Sequence, residues 1–232
     1  MILAIMQPYI FPYIGYFQLL NAVDKFVIYD DVTFIKQGWI NRNNILLNGK
    51  AYLFTVPLVN VSSNVTICNT QIANKKRWEE KFIKTMQQAY KKAPYYANVI
   101  DMIHDIISIK SDSIGDLATN SIKTVAEFIG IDTQIQYTSS MYNNNFLSSQ
   151  ERVLDICKAE NADRYINAAG GQNLYSKQDF KSKGIELNFI KSGFITYQQF
   201  GESFISSLSV IDVIMFNDPK TILNFTNQYE MI

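Results

Sequence analysis

The polar chemistry of this chain is gathered into three short stretches. The first, YDDVTFIKQGWINRNNI from Tyr29 to Ile45, sets Asp30, Asp31, Lys36, Trp39, Asn41, Arg42 and Asn43 within fourteen positions. Acceptors, donors and one large stacking surface are the parts of a site for a polar small ligand, with Lys36 or Arg42 suited to a phosphate. Adjacent carboxylates at a strand end also suit Mg²⁺, which binds through few carboxylates and keeps its waters. The competing reading is a surface loop of salt bridges and helix caps. The second stretch is QPYIFPYIGYF, Gln7 to Phe17. Pro8 and Pro12 fix φ and remove a donor, while Gly15 lets the backbone adopt unusual angles or lets a ligand approach it. A rigid turn that runs into a helix N-terminus is a natural anion site. Gln7, Tyr9, Tyr13 and Tyr16 are its candidates; Phe17, Leu19 and Leu20 are assigned to the core. The third stretch, NAAGGQNLY from Asn167 to Tyr175, reads as a loop closing over a ligand, with Gly170, Gly171, Gln172 and Tyr175 as candidates. Tyr197 and Gln199 follow it in the chain, and Ser209 and Asp212 read as a helix cap and helix start.

Many catalytic devices are missing. His104 is the single histidine, so no histidine-based metal site forms by itself, and its place among helical apolar residues is structural. There is no Cys-x-x-Cys for zinc, no G-x-S-x-G and no phosphate-binding G-x-x-x-x-G-K-[ST]. Gly170-Gly171 alone is too little for a dinucleotide fingerprint. Cys68 and Cys157 read as free buried thiols of a reducing compartment. The 21 basic and 21 acidic residues balance, which argues against a nucleic-acid partner, since phosphate backbones demand a basic face. No apolar run approaches the ~20 residues of a bilayer span, and MILAIMQPY lacks the basic start of a signal peptide. A cytoplasmic protein is expected.

The elements that must position these stretches follow from periodicity and breakers. Ile2–Met6 reads as a buried strand, Gly15–Val23 as a helix and Lys25–Tyr29 as a second strand. This is a βαβ unit of a parallel sheet, and such sheets bind ligands beyond the carboxyl ends of their strands. Asn41–Leu58 reads as a hairpin about Asn48-Gly49. Val59–Asn74 reads as strand and loop. Helices are expected at Arg77–Tyr90, Tyr96–Ile109 and Gly115–Ile129, the last stopped by Gly130. A strand at Ile131–Thr138, a helix at Ser149–Glu160 and a segment Asp163–Ile166 lead into the glycine pair. Helix Lys177–Lys183, strand Ile185–Ile190 and helix Ile205–Phe216 complete the pattern. The simplest account is one α/β domain over 1–232, with a largely helical insertion around 75–130 and a β-hairpin.

Two of these motifs carry a resemblance. Gln7-Pro8-x-x-x-Pro12-x-x-Gly15-Tyr16-Phe17, with Asp30-Asp31-Val32-x-Phe34 and Trp39-x-Asn41-Arg42-Asn43, resembles the WbqC-like family. Ser139-Ser140, Arg152, Leu154, Cys157, Tyr165, Gly170-Gly171, Tyr175, Tyr197, Gln199, Leu208, Ser209 and Asp212 continue it in order along nearly the whole chain. Thr33 departs from the pattern, where a longer polar residue such as Gln is expected. The resemblance implies bacterial surface-polysaccharide (O-antigen) biosynthesis and a glycyl or other acyl transfer to a sugar. On that basis the partner is a nucleotide-linked amino sugar and the co-substrate an activated acyl donor. Asp30 or Asp31 would accept the amine proton, with Gln7 and Tyr13 beside them, and the Gly15 N–H would hold the oxyanion. Arg42 and Lys36 would hold the diphosphate, and Trp39 or Tyr9 would stack on the base.

A looser similarity links the opening strand–turn–helix–strand to nucleotidylyltransferases and pantothenate synthetase-like enzymes, implying a parallel-sheet, Rossmann-like core. Tyr13-Ile14-Gly15-Tyr16 stands where their His-x-Gly-His motif falls, so their cationic stabilisation of a leaving pyrophosphate does not carry over. A nucleotidylyl- or adenylate-forming enzyme on that architecture is one alternative. A non-catalytic sugar-nucleotide-binding accessory protein is another.

Overall fold

A computed structural model of the protein describes residues 1–59 and 64–232. Six strands form one sheet: β1 (Ile2–Met6), β2 (Lys25–Ile28), β5 (Gln134–Gln136), β6 (Arg164–Ala168), β7 (Glu186–Ser192) and β8 (Tyr229–Met231). Their spatial order is β5-β2-β1-β6-β7-β8. All neighbours run parallel except β7 and β8. The remaining strands, β3 (Arg42–Leu47) and β4 (Lys50–Thr55), make a separate antiparallel hairpin.

The apolar strands bury both faces, as parallel sheets must. Strand alternation sends Ala4, Phe26, Ile28, Ile166 and Ile190 to one core, and Leu3, Ile5, Val27, Tyr165, Leu187 and Phe189 to the other. The first core packs against α1 (Ile14–Asn21), α4 (Ile114–Ile129), α7 (Val210–Phe216) and α8 (Pro219–Thr226). It also includes the hairpin, α2 (Lys75–Tyr90) and α3 (Tyr96–Ile107). The second core packs against α5 (Ser149–Ala159) and α6 (Lys177–Ser182). The result is a mixed α/β, Rossmann-like fold. From β1 the chain steps outward to β2 and β5, then returns through α5 to β6 on the opposite side of β1. Loops leaving β1 and β6 therefore diverge, and this switch point opens a crevice at the carboxyl ends of the strands.

Local chemistry explains most boundaries. Asn48 and Gly49 both have positive φ, 52° and 72°, as a two-residue hairpin turn requires. Gly130 ends α4 in the left-handed conformation, φ 87°. Some expectations are corrected. Ile205–Ser209 is not helical: Ser209 caps α7 by accepting from the Ile211 N–H at 3.2 Å. The strand expected at Ile131–Thr138 shortens to β5. Val59–Asn74 holds turns and isolated bridges, Thr33 to Thr66 and Leu58 to Ile72, while positions 60–63 lie outside the described residues. Helix α8, capped by Asp218 with Pro219 in its first turn, and strand β8 have no counterpart in the sequence reading.

Candidate functional site

The Gln7–Tyr13 turn is tied down from several directions. Phe11 takes a left-handed φ of 42°, costly for a bulky residue. Its N–H donates to Ser121 Oγ (3.0 Å), and its carbonyl accepts from Asn43 Nδ2 and Ser209 Oγ, both at 2.7 Å. The Ile10 N–H donates to the Ile40 carbonyl at 3.0 Å and the Val210 N–H to the Pro12 carbonyl at 2.9 Å. Ile10, Phe11 and Phe17 are buried in the core. The turn thus divides its aromatic residues: Tyr9 and Tyr13 line a cavity, and Tyr16 belongs both to the core and to that lining.

This cavity, of about 490 Å³, lies at the switch point. Gln7, Tyr9, Tyr13, Gly15 and Tyr16 contribute from the turn and α1. Tyr29 and Ile35 contribute from beyond β2, and Asn167, Gly170, Gly171, Leu174 and Tyr175 from beyond β6. Ile5, Met6 and Leu19 add apolar surface. Among the described lining residues there is no carboxylate, lysine, arginine, histidine or cysteine. The polar surface is phenolic and amide. The Tyr16 hydroxyl donates to the Gln7 carbonyl at 3.1 Å, whereas the Gln7 side chain has no hydrogen bond among the described residues. Burial raises the Tyr9, Tyr13 and Tyr16 phenols above their ordinary value, so all three stay neutral donors and acceptors. No side chain caps α1; the Tyr16 N–H is taken by the Tyr13 carbonyl at 3.0 Å, and Gly15 of the same turn lines the cavity. A Cβ on Gly15 would stand 2.3 Å from the Tyr13 ring.

The Asp30–Asn43 stretch sits elsewhere. Asp31 is not a free carboxylate: Arg152 Nη2 reaches both of its oxygens, at 2.7 and 2.6 Å, with side chains 3% and 11% exposed for Arg152 and Asp31. Ser139 Oγ also donates to Asp31. Arg152 Nε donates to Asn144 Oδ1 at 2.9 Å, and the guanidinium lies 4.9 Å from the centre of the cavity-lining Tyr29 ring. Asp30 Oδ1 accepts from Thr138 Oγ1 (2.9 Å) and the Ser139 N–H (3.0 Å). Its carboxyl is raised above the ordinary range mainly by burial; the like charge of Asp31 contributes least, and hydrogen bonds from Ser139 and Thr138 oppose the rise. This donor set does not fit Mg²⁺, because a guanidinium already occupies the Asp31 oxygens.

The other loop candidates are also placed outside the cavity. Arg42 donates to the carbonyls of Gly38 and Gln37 in its own loop. Asn41 donates to the Val56 carbonyl at 2.8 Å, and Asn43 to the Phe11 turn. Lys36 and Gln172 are exposed, as is Trp39, and none of the three lines the cavity. Tyr197 and Gln199 hydrogen-bond to buried Asp212, at 2.7 and 2.6 Å, outside the cavity. The sequence reading named neither Tyr29 nor Asn167 as a candidate, although each stands at a strand end, the position that marks such a role.

The comparisons agree with this arrangement of motifs. The model of the WbqC-like protein family matches residues 7–223, a span containing the turn, the Asp30–Asn43 stretch and the glycine pair. A curated relative, "Uncharacterized protein Rv1507c" of Mycobacterium tuberculosis, is 25% identical over 218 residues, covering 92% of each chain. No solved structure matches. The chain belongs to the WbqC-like protein family.

Proposed function

We propose that the switch-point cavity binds the glycosyl part of a nucleotide-linked amino sugar, and that the protein transfers an acyl group, glycyl among the candidates, to the sugar amine. The observation that carries this reading is the lining: tyrosine faces and side-chain amides, with no formal charge among the described lining residues. Aromatic faces stack on sugar rings, and Gln7 and Asn167 supply donors and acceptors for hydroxyls. The Gly15 N–H, in the first turn of α1 and on the cavity lining, is the donor offered to an oxyanion or a phosphate. In the reaction, the amine nitrogen attacks the donor carbonyl carbon and an N–C bond forms. Negative charge moves to the carbonyl oxygen, where the Gly15 N–H stabilises it. The bond to the leaving group then breaks, and the amine proton departs with the leaving group or to water, since no carboxylate stands among the lining residues.

The absence of an acid or base from that lining favours a second reading, a sugar-nucleotide-binding accessory protein. The missing cationic side chain counts against nucleotidylyl transfer. The test incubates the protein with amino-sugar nucleotides and activated acyl donors and follows product mass, beside calorimetry of the nucleotide sugars alone. A mass gain equal to the acyl group supports transfer. Saturable binding without turnover selects the accessory reading, and absence of binding overturns both. Gln7→Ala is expected to weaken binding about tenfold, the scale of one lost hydrogen bond, with the fold intact.

A further inference from the structure

Tyr13 also lines a second cavity, of about 230 Å³, that no part of the preceding reading uses. Phe194, Tyr197 and Phe204 are its other aromatic walls, and among its described lining residues no side chain is charged. Phe204 stands nearly perpendicular to both neighbours: 84° to Phe194 with ring centres 6.2 Å apart, and 86° to Tyr197 at 5.3 Å. Three rings set at near-right angles therefore line the same cavity. Phe194 is 76% exposed, so core packing does not account for it. At the hydroxyl end of the Tyr197 ring lies Asp212, fully buried. Its carboxylate accepts from Tyr197 Oη (2.7 Å), Tyr90 Oη (2.9 Å) and Gln199 Nε2 (2.6 Å). No cation pairs with Asp212 among the described residues. Aromatic faces present negative potential, and three or four of them around a pocket are how proteins hold ammonium ligands. A buried carboxylate at the end of one ring adds to that field. A neutral ligand of the same shape gains the apolar contact of the rings but not the charge attraction, and an anion is repelled by both.

We infer that this second cavity is a binding site for an organic ammonium group, held by the faces of Tyr13, Phe194, Tyr197 and Phe204 and by the field of Asp212. The site stands independently of the acyl-transfer reading. Because Tyr13 belongs to both cavities, a cation bound here lies beside whatever occupies the first.

The experiment titrates the full chain with choline chloride and with its neutral carbon isostere, 3,3-dimethylbutan-1-ol, at constant ionic strength. Calorimetry gives affinity, and aromatic NMR shifts locate the ligand. Choline is expected to saturate roughly tenfold more tightly than the isostere, the scale of a desolvated cation–π contact. Its shifts are expected at Phe194, Tyr197 and Phe204, not at Tyr9, Tyr29 or Tyr175. Phe194→Ala removes an exposed wall without disturbing the core and is expected to weaken choline several-fold. Equal affinity for the two probes overturns the inference, as does a failure of choline to saturate. Choline affinity unchanged in both Phe194→Ala and Asp212→Asn overturns it too.

Discussion

At the scale of the residue, two acidic neighbours that look equivalent in sequence have separate fates. Asp30 sits under hydrogen bonds from the Thr138–Ser139 turn, while Asp31 is consumed by Arg152, 121 residues away in the chain. Breaking a buried ion pair from one side strands the other charge, at a cost of about 3–5 kcal/mol. Asp31→Asn and Arg152→Met are each expected to lower unfolding free energy on that scale in urea melts. The double variant is expected to lose much less than the sum, because no unpaired charge remains. Strictly additive losses would show that the pair is not coupled. Gly15→Ala tests the opposite case. The added Cβ meets the far end of the Tyr13 side chain, itself 38% exposed, so the ring is free to move. Stability is expected to stay within about 1 kcal/mol of wild type, in line with the helix preference for Ala, while sugar-nucleotide affinity falls. Unchanged affinity would mean that the Tyr13 position does not shape the cavity. The polar types were readable from the chain, but the Asp31–Arg152 pairing was not, since no local pattern marks a contact made only by tertiary packing.

At the scale of the element, the hairpin β3–β4 was legible because Asn48-Gly49 has one conformational explanation. Its consequence was less visible: the hairpin braces the Gln7–Tyr13 turn, through Asn43 to the Phe11 carbonyl and through the Ser209 N–H to the Asn44 carbonyl at 2.8 Å. The functional look of Asn41 and Asn43 thus came from their side chains, whereas their use is to fasten backbone. Nothing lies within 4 Å of a Cβ added at Gly49, so Gly49→Ala isolates the cost of φ +72°. It is expected to destabilise by roughly 1–2 kcal/mol, read as a shift in urea midpoint with an unchanged m-value. Asn48→Gly, which removes a Cβ penalty at φ 52°, is expected to be close to neutral. A neutral Gly49→Ala would contradict the turn geometry. Helix α8 carries its own start signal, a proline in the first turn after an Asp cap.

At the scale of the molecule, the βαβ opening foretold the parallel sheet, and a cavity lies at the carboxyl ends of its strands. The strand order, and with it the joining of the Gln7–Tyr16 turn to the Asn167–Tyr175 loop, depends on a crossover that local sequence does not encode. The same assembly buries Asp212 among α7, Tyr90 of α2 and the Tyr197–Gln199 loop, which gives the whole fold a pH dependence. Burial raises the Asp212 carboxyl above its ordinary value, against hydrogen bonds from Tyr197, Tyr90 and Gln199. A raised folded-state pKa means that the native state binds the proton more tightly than the unfolded chain. The resulting stabilisation is fully present below the unfolded value, about 3.9 for Asp, and is lost as pH rises through the folded value. Asp30 is shifted in the same sense. Glu160 runs the other way: burial acts to raise it but is outweighed by the Lys25 and Tyr142 hydrogen bonds, so its contribution is lost as pH falls. The wild-type profile therefore mixes signs, and the difference between wild type and Asp212→Asn isolates one group. Measured by urea unfolding from pH 4 upward, wild-type stability relative to that variant is expected to decline with rising pH and level off once the carboxyl is ionised in the folded state. The slope of this difference carries the test, because the level also contains whatever the amide does to the Tyr90, Tyr197 and Gln199 hydrogen bonds. Parallel profiles for the two proteins would show that Asp212 titrates as it does in the unfolded chain.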